Sequence, residues 1–465
     1  MVGAVGLPVE VRSSSPCLLT WDRRACSLSP RTAAAVGAPA HRRRRPPGDN
    51  GRVRLCVARP DGSIEIRDGL RPAARSGRRL VPLTPADVIP LPEGATVAHL
   101  PGRRAIGLDA RGDPVELAGL RAPVAAILPV GYLRTLLPAS RPGPGSPRLP
   151  LFGYAALAER NGELVVAALG TDTFEWWQPC HHGTAGLPEA VDAARHALPG
   201  NRLVDHLARC ALEYRCYTAQ NTFFRRYEAA LPASPACNAD CLGCISLQSD
   251  GAVPSPQERM GFAPTVAELA GLAGHFLEGD EAAIVSFGQG CEGEALTRSR
   301  AVVEATAAIR AHNPAATIHV NTNGSRPRVL ERMVAAGCDS VRISAISFTE
   351  SVFRAYYRPV GYGLQEVIEC GRVMRRSGGQ VCLNLLAFPG ITDTPSELEA
   401  TIAACAEMGV DQIQWRSLNV DHDWLIDELP PMEEGMGMAI AMETVRRRLP
   451  GVAHGNFTRP VAHPG

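Results

Sequence analysis

Three cysteines, Cys237, Cys241 and Cys244, fall in the stretch Ser234-Pro-Ala-Cys-Asn-Ala-Asp-Cys-Leu-Gly-Cys-Ile-Ser246, spaced C-x3-C-x2-C. Thiolates three and four residues apart on a short irregular loop can reach neighbouring irons of a cuboidal cluster, and Gly243 lets the backbone turn between the last two. The nearest downstream histidine is His275, so a closed tetrahedral zinc site would need a distant fourth ligand. An incomplete ligand set points to a [4Fe–4S] cluster with one iron left open. A zinc knob and three unrelated core thiols are the alternatives.

Two later stretches carry groups suited to a small polar molecule. Ser286-Phe-Gly-Gln-Gly-Cys-Glu-Gly-Glu-Ala-Leu296 combines glycines that permit close backbone approach with carboxylates that can pair with a cation. A phosphate cradle is the rival reading of any glycine cluster, but adjacent carboxylates would repel phosphate. Asn321-Thr-Asn-Gly324, taken alone, reads as an ordinary polar turn before a helix.

The cysteine spacing resembles the signature of the radical S-adenosylmethionine (radical SAM) enzymes, whose open iron is chelated by the amino and carboxylate groups of the cosubstrate. The resemblance implies two cofactors, a [4Fe–4S] cluster on Cys237, Cys241 and Cys244, and S-adenosylmethionine (SAM). It further implies a reductant such as flavodoxin or ferredoxin, cleavage of SAM to methionine and a 5′-deoxyadenosyl radical, and abstraction of a substrate hydrogen. The 286–296 stretch looks like the family's Gly-Gly-Glu or Gly-Glu-Pro element, which meets the SAM ammonium. Gly293 and Glu294 align with it, and Gly290 and Glu292 are neighbours that could share the role. The pattern departs at Cys291, which intervenes, and at Ala295, which stands where proline is usual. By the same resemblance Thr322 meets the SAM carboxylate with Asn323 beside it, Ser344 contacts the methionyl end, and Asn384 reaches the ribose. The likeness covers roughly residues 223–420.

Bringing these loops together requires a scaffold that gathers strand ends. From residue 223 onward, strand-like apolar runs at 227–231, 282–287, 317–321, 340–346, 381–388 and 412–418 alternate with helix-period segments at 266–277, 297–311, 327–336, 364–376 and 396–408. Six such units predict an α/β fold: a partial (β/α)6 TIM-like barrel, with parallel strands, right-handed crossovers and chemistry at the strand C-terminal ends. Smaller β-rich and α+β N-terminal modules precede it. We expect residues 1–51 to be disordered or an over-extended start, 52–137 a small β-rich domain, 138–150 a Pro/Gly/Ser linker, and 151–222 an α+β extension. The radical SAM core then spans 223–425, and 426–465 form a C-terminal tail with a helix over 430–449.

Composition removes several function classes. All 48 basic residues are arginine against 47 acidic ones, and a net charge of +1 provides no global field to steer a polyanion, which argues against nucleic acid. Without lysine, a Schiff base to pyridoxal phosphate and a Walker-type phosphate lysine are both excluded. Fourteen cysteines scattered over 465 residues are unlike a secreted disulfide scaffold, so a reducing cytoplasm is expected. No apolar run reaches membrane-spanning length, and the start carries no signal-peptide pattern.

Other chemical-looking residues read as structure. Adjacent histidines seldom aim at one ion, so Cys180, His181 and His182 suggest a packed loop, with Trp176 and Trp177 in the core. Cys210 and Cys216, six apart on a presumed helix, point in different directions and read as buried thiols. Gln414, Arg416 and Asn419 on the last strand are candidates for the substrate side, and Met432, Met436, Met438 and Met442 for helix packing. No cysteine follows Cys405, so the C-terminal auxiliary-cluster domain of many peptide-modifying relatives is not expected. The reading is a radical SAM enzyme acting on a peptide, a protein side chain or a small metabolite. A radical SAM RNA-modifying enzyme and a non-catalytic iron–sulfur or zinc binding protein are the alternatives.

Overall fold

Six strands pair in chain order and in parallel: Glu228–Leu231, Ile284–Phe287, Thr317–Thr322, Ser340–Ala345, Gln380–Ala387 and Gln412–Ser417. The computed structural model describes residues 51–119, 121–172, 182–280 and 283–461. Residues 1–50, Trp176, Trp177, Cys180 and His181, on which expectations were placed, lie outside the described residues. All four residues of Ile284–Phe287 are buried, as a parallel strand covered by helices on its outer face requires. Val266–Leu277, Ser299–His312, Pro327–Ala335, Leu364–Arg376 and Pro395–Met408 are the helices that alternate with the strands. The first starts at a reciprocal capping box between Thr265 and Glu268. The expected α/β barrel is therefore present, together with a helix not expected from sequence, Glu350–Tyr357, after the fourth strand.

The C-terminal tail belongs to the barrel. Ala453–His454 pairs in parallel with Gln412–Ser417 as a seventh strand. Beyond it the chain crosses the N-terminal ends of the strands, where Gln412 Nε2 donates to the Phe457 carbonyl at 2.7 Å and the Val461 N–H donates to Thr317 Oγ1 at 2.9 Å. The closing helix runs over Met438–Arg448 rather than 430–449, because Pro430-Pro431 and the glycines at 435 and 437 interrupt the first part. Met438 and Met442 are buried along it, as packing residues.

The N-terminal region does not divide where composition suggested. Val53–Ala58 pairs antiparallel with Tyr154–Arg160, Val53 facing Arg160, so the segments expected as separate 52–137 and 151–222 modules share one sheet. Residues 138–150 are not a linker either. Ser140–Pro142 pairs with residues 103–105, and Leu149 is fully buried. Asn161-Gly162, both at positive φ (58° and 90°), closes the hairpin between Tyr154–Arg160 and Glu163–Val166. This β-rich part rests on the loops leaving the fifth and sixth barrel strands. Arg134, almost wholly buried, donates to the carbonyls of Tyr154 (3.2 Å) and Leu418 (3.1 Å) and lies over the Phe388 ring. Arg103 pairs with Asp421 at 2.5 Å and with Asp423 at 3.1 Å, and Arg75 pairs with Asp423. Helices Leu187–Ala197, Arg202–Leu212 and Tyr217–Phe224 then lead into the first barrel strand.

Candidate metal and cofactor site

Strand Glu228–Leu231 runs at its C-terminal end into the cysteine loop. The loop is irregular, and its shape comes from hydrogen bonds made elsewhere in the fold. The N–H groups of Asp240 and Leu242 donate to the carbonyls of Tyr357 and Tyr356, each at 3.0 Å, and the Val360 N–H donates to the Asn238 carbonyl at 2.9 Å. The unexpected helix Glu350–Tyr357 is thus the shelf on which the cysteines sit. Gly243 is needed there: a Cβ would lie 2.7 Å from the Tyr356 hydroxyl.

Cys237, Cys241 and Cys244 are all half-buried. Burial pushes the Cys237 thiol up and the Cys241 thiol well up, with the charges of Cys244 and Cys237 adding to the effect at Cys241. Cys237 and Cys241 are therefore unfavourable as thiolates unless cations sit beside their sulfurs. Arg259 Nη2 donates to Cys244 Sγ at 3.4 Å. Among the described residues, the trios of ligating atoms within 4.8 Å of one another are His206–Cys210–Cys291 and Asp421–His422–Asp423, and the loop cysteines are not among them. Sulfurs around one zinc ion lie about 3.8 Å apart. The three loop sulfurs do not share the 4.8 Å radius as a set, and a cube that takes each sulfur on a different iron asks for a wider spacing than one ion does.

The glycine–glutamate stretch docks directly onto this loop. Gly293 N–H donates to the Ser234 carbonyl at 2.7 Å and Glu294 N–H to the Ala236 carbonyl at 2.8 Å. A Cβ on Gly293 would fall 2.1 Å from the Ala236 oxygen, so the approach requires glycine. Both carboxylates are buried and hydrogen-bonded within the fold. Glu292 accepts from the N–H groups of Ala233 (2.7 Å), Ser234 (2.8 Å) and Gln289 (2.6 Å), and burial pushes its carboxyl up to about 8. Glu294 accepts from Thr322 Oγ1 (2.7 Å), Asn323 N–H (2.8 Å) and Leu296 N–H (3.0 Å), and burial raises it too. Glu292 braces the cysteine loop, while Glu294 ties that loop to the Thr-Asn-Gly turn. Asn323 Nδ2 completes the tie by donating to Asn238 Oδ1 at 3.0 Å. Gly290 lies beside Gln257 and Ile245.

Ser344 and Asn384 meet across neighbouring strands, Asn384 Nδ2 donating to Ser344 Oγ at 3.0 Å. Asn384 Oδ1 is buried with no partner, and so is the hydroxyl of Tyr362. Tyr362 also lies within electrostatic reach of Cys241, Glu294 and Cys237. Buried polar atoms without partners are rare in folded proteins, and two of them beside these loops are what a bound polar ligand would satisfy. Tyr362 carries no sequence signal, since it follows a helix the periodicity did not reveal. Gln414 and Arg416, expected on the substrate side, are tied into the barrel interior. Arg342 Nη1 donates to Gln414 Oε1 (3.0 Å) and Thr458 Oγ1 (3.1 Å), its Nη2 pairs with Glu228 (3.5 Å), and Arg416 Nη2 donates to the Asn456 carbonyl (2.7 Å). Asn419 Oδ1 sits beside Gly153.

His182 packs against the rings of Tyr217 and Tyr227. The helix bearing Cys210 ends at Leu212, so Cys210 and Cys216 do not share one helix as expected; instead the Cys216 N–H donates to the Cys210 carbonyl at 3.0 Å. The Asp421–His422–Asp423 group is answered by Arg103 and Arg75 and reads as a structural ion-pair network.

No curated protein matches the chain. Solved structures similar to it include the radical SAM methyltransferase TsrM from Kitasatospora setae with tryptophan substrate and a SAM analogue, at 15% identity, 41% of this chain, 36% of that chain and TM-score 0.31. The FeFe-hydrogenase maturase HydG from Carboxydothermus hydrogenoformans matches at 14% identity, 58% and 71% coverage and TM-score 0.32, and SuiB from Streptococcus suis bound to SAM at 10%, 46% and 44%, with TM-score 0.29. The chain spans about a third of the length of TsrM. Among the described residues no helix is long and apolar enough to cross a membrane. Residues 231–405, from the end of the first barrel strand into helix Pro395–Met408, match the family model of the radical SAM superfamily, and this stretch of the chain is a radical SAM domain.

Proposed function

We propose that the chain is a radical SAM enzyme. The observation that carries this reading is the docking of Gly293 and Glu294 onto the carbonyls of Ser234 and Ala236, beside the three half-buried thiols of the cysteine loop. Cys237, Cys241 and Cys244 hold three corners of a [4Fe–4S] cluster. Gly290, Gly293, Glu294, Thr322, Asn323, Ser344 and Asn384 border the SAM site, with Asn384 Oδ1 and the Tyr362 hydroxyl still available to a ligand. Glu292 is a positioning residue that acts through the cysteine loop. When bound, the reduced cluster and SAM supply a 5′-deoxyadenosyl radical that abstracts a substrate hydrogen.

The chain's own residues set the conditions for that chemistry. Arg259 donates to Cys244 Sγ and withdraws charge from that sulfur, which favours the reduced state. Arg134 and Arg103 anchor the N-terminal sheet against the loops after the fifth and sixth strands. The substrate is a peptide, a protein side chain or a small metabolite, and the electron donor a flavodoxin or ferredoxin of the cytoplasm. Anaerobically reconstituted protein given dithionite and SAM is expected to release 5′-deoxyadenosine and methionine, and Cys241→Ala to release neither. Intact SAM beside a fully loaded, reducible cluster would overturn the reading.

A further inference from the structure

We propose that His206, Cys210, Cys216 and Cys291 form a second metal site, a closed tetrahedral zinc centre that fastens the N-terminal helices to the glycine–glutamate loop. His206 and Cys210 stand four residues apart on helix Arg202–Leu212, one turn apart on the same face, with His206 Nε2 4.0 Å from Cys210 Sγ. Cys291 arrives from a different element, the loop after the second barrel strand. Its sulfur, the Cys210 sulfur and the imidazole nitrogen all lie within 4.8 Å of one another. The fourth donor comes from just past the helix. There the chain reverses and the Cys216 N–H donates to the Cys210 carbonyl, which brings the half-buried Cys216 thiol next to the trio, outside its 4.8 Å radius. Cys210 and Cys291 are 1% and 4% exposed, and the other two donors are half-buried.

Three thiolates and one imidazole at this spacing suit zinc. Bonds of about 2.3 Å to sulfur and about 2.0 Å to nitrogen place tetrahedral donors under about 4 Å apart, so a small inward movement of His206, Cys210 and Cys291, with the Cys216 thiol turning in from outside their radius, completes the shell. With every position filled by the protein, no coordination position is left for a substrate, and the ion is structural. The histidine is the telling residue: its ring packs edge-on against Phe262, yet its Nε2 is turned to the Cys210 sulfur rather than to water. The consequence is mechanical. Cys291 adjoins Glu292, which braces the cysteine loop, and Met260 N–H holds the Cys291 carbonyl at 2.8 Å. An ion here clamps helix Arg202–Leu212, outside the 231–405 domain, onto the loop that shapes the candidate cofactor site.

The test separates this site from the cluster. The full chain, purified anaerobically, is expected to carry about one zinc in addition to the iron. The full chain with Cys237→Ala, Cys241→Ala and Cys244→Ala is expected to lose the iron and keep the zinc. Cobalt(II) exchanged into that variant should give tetrahedral visible bands and a thiolate charge-transfer band. Adding Cys210→Ser or Cys291→Ser should lower bound cobalt at least tenfold. Adding Cys216→Ser should remove roughly a third of the charge-transfer intensity, one thiolate in three. His206→Ala should lose the metal while His206→Cys, another ligating side chain, retains it with a red-shifted spectrum, a rescue that general misfolding would not produce. Four results overturn the proposal: native protein with no zinc and freely alkylated thiols, a Cys210–Cys291 disulfide, cobalt bands that survive Cys291→Ser, or iron and sulfide in place of zinc in the triple variant.

Discussion

The molecule contains two sulfur-rich groups built in opposite ways. Cys237, Cys241 and Cys244 are neighbours in sequence, yet their sulfurs do not come within 4.8 Å of one another as a set. Cys210 and Cys291 belong to different elements, yet their sulfurs share that radius with His206. The first group lies along a loop held by the carbonyls of Tyr356 and Tyr357 and by the Val360 N–H, and the second sits between a helix face and a barrel loop. Closeness along the chain therefore does not predict closeness of donors. The supporting elements set which donors meet.

The largest test of this contrast is Cys241→Ala. Iron and SAM cleavage are expected to vanish with zinc unchanged, measured by metal analysis and product chromatography; a parallel loss of zinc would merge the two groups into one site. Gly293→Ala comes next. Its Cβ would fall 2.1 Å from the Ala236 carbonyl oxygen, so the cysteine loop must move. Iron content should drop by about half or more and SAM affinity at least tenfold, by iron assay and equilibrium binding. Wild-type loading would mean that the loop tolerates the displacement and that the close approach is incidental.

Glu294→Gln should act more gently. The amide keeps the shape but presents a donor to either Leu296 N–H or Asn323 N–H, leaving a buried group mismatched at about 1–3 kcal/mol. SAM affinity is expected to fall roughly tenfold with iron retained, and unchanged binding would show that the tie between the two loops is dispensable. Arg259→Ala is the smallest: iron and zinc both stay, and the cluster's midpoint potential becomes more negative as the donor to Cys244 Sγ is lost. A potential that does not move would remove Arg259 from the cluster's environment.

Much of this was legible before any coordinates. The six apolar runs between 227 and 418 form strands within one or two residues of their expected limits, because each run is long enough to be covered on both faces and is punctuated by helix-period segments. The juxtaposition of the cysteine, glycine–glutamate and Thr-Asn-Gly loops follows from that alternation, since consecutive parallel strands bring their C-terminal ends together. By contrast, 138–150 looked like a linker because its Pro and Gly content is a local property, whereas the pairing of Ser140–Pro142 with residues 103–105 is not.

The amino-acid sequence by itself determined the barrel, the three-cysteine loop and the family to which residues 231–405 belong, all encoded in short-range periodicity and spacing. Only the tertiary structure decided that Glu292 and Glu294 are braces, that Tyr362 and Asn384 retain unpartnered atoms, and that His206 and Cys291 meet beside Cys210. The physical reason is that periodicity records the burial of one element's face, while a hydrogen bond or a ligand set joins groups from separate elements. Which groups meet is fixed by how those elements pack, and no single segment carries that information.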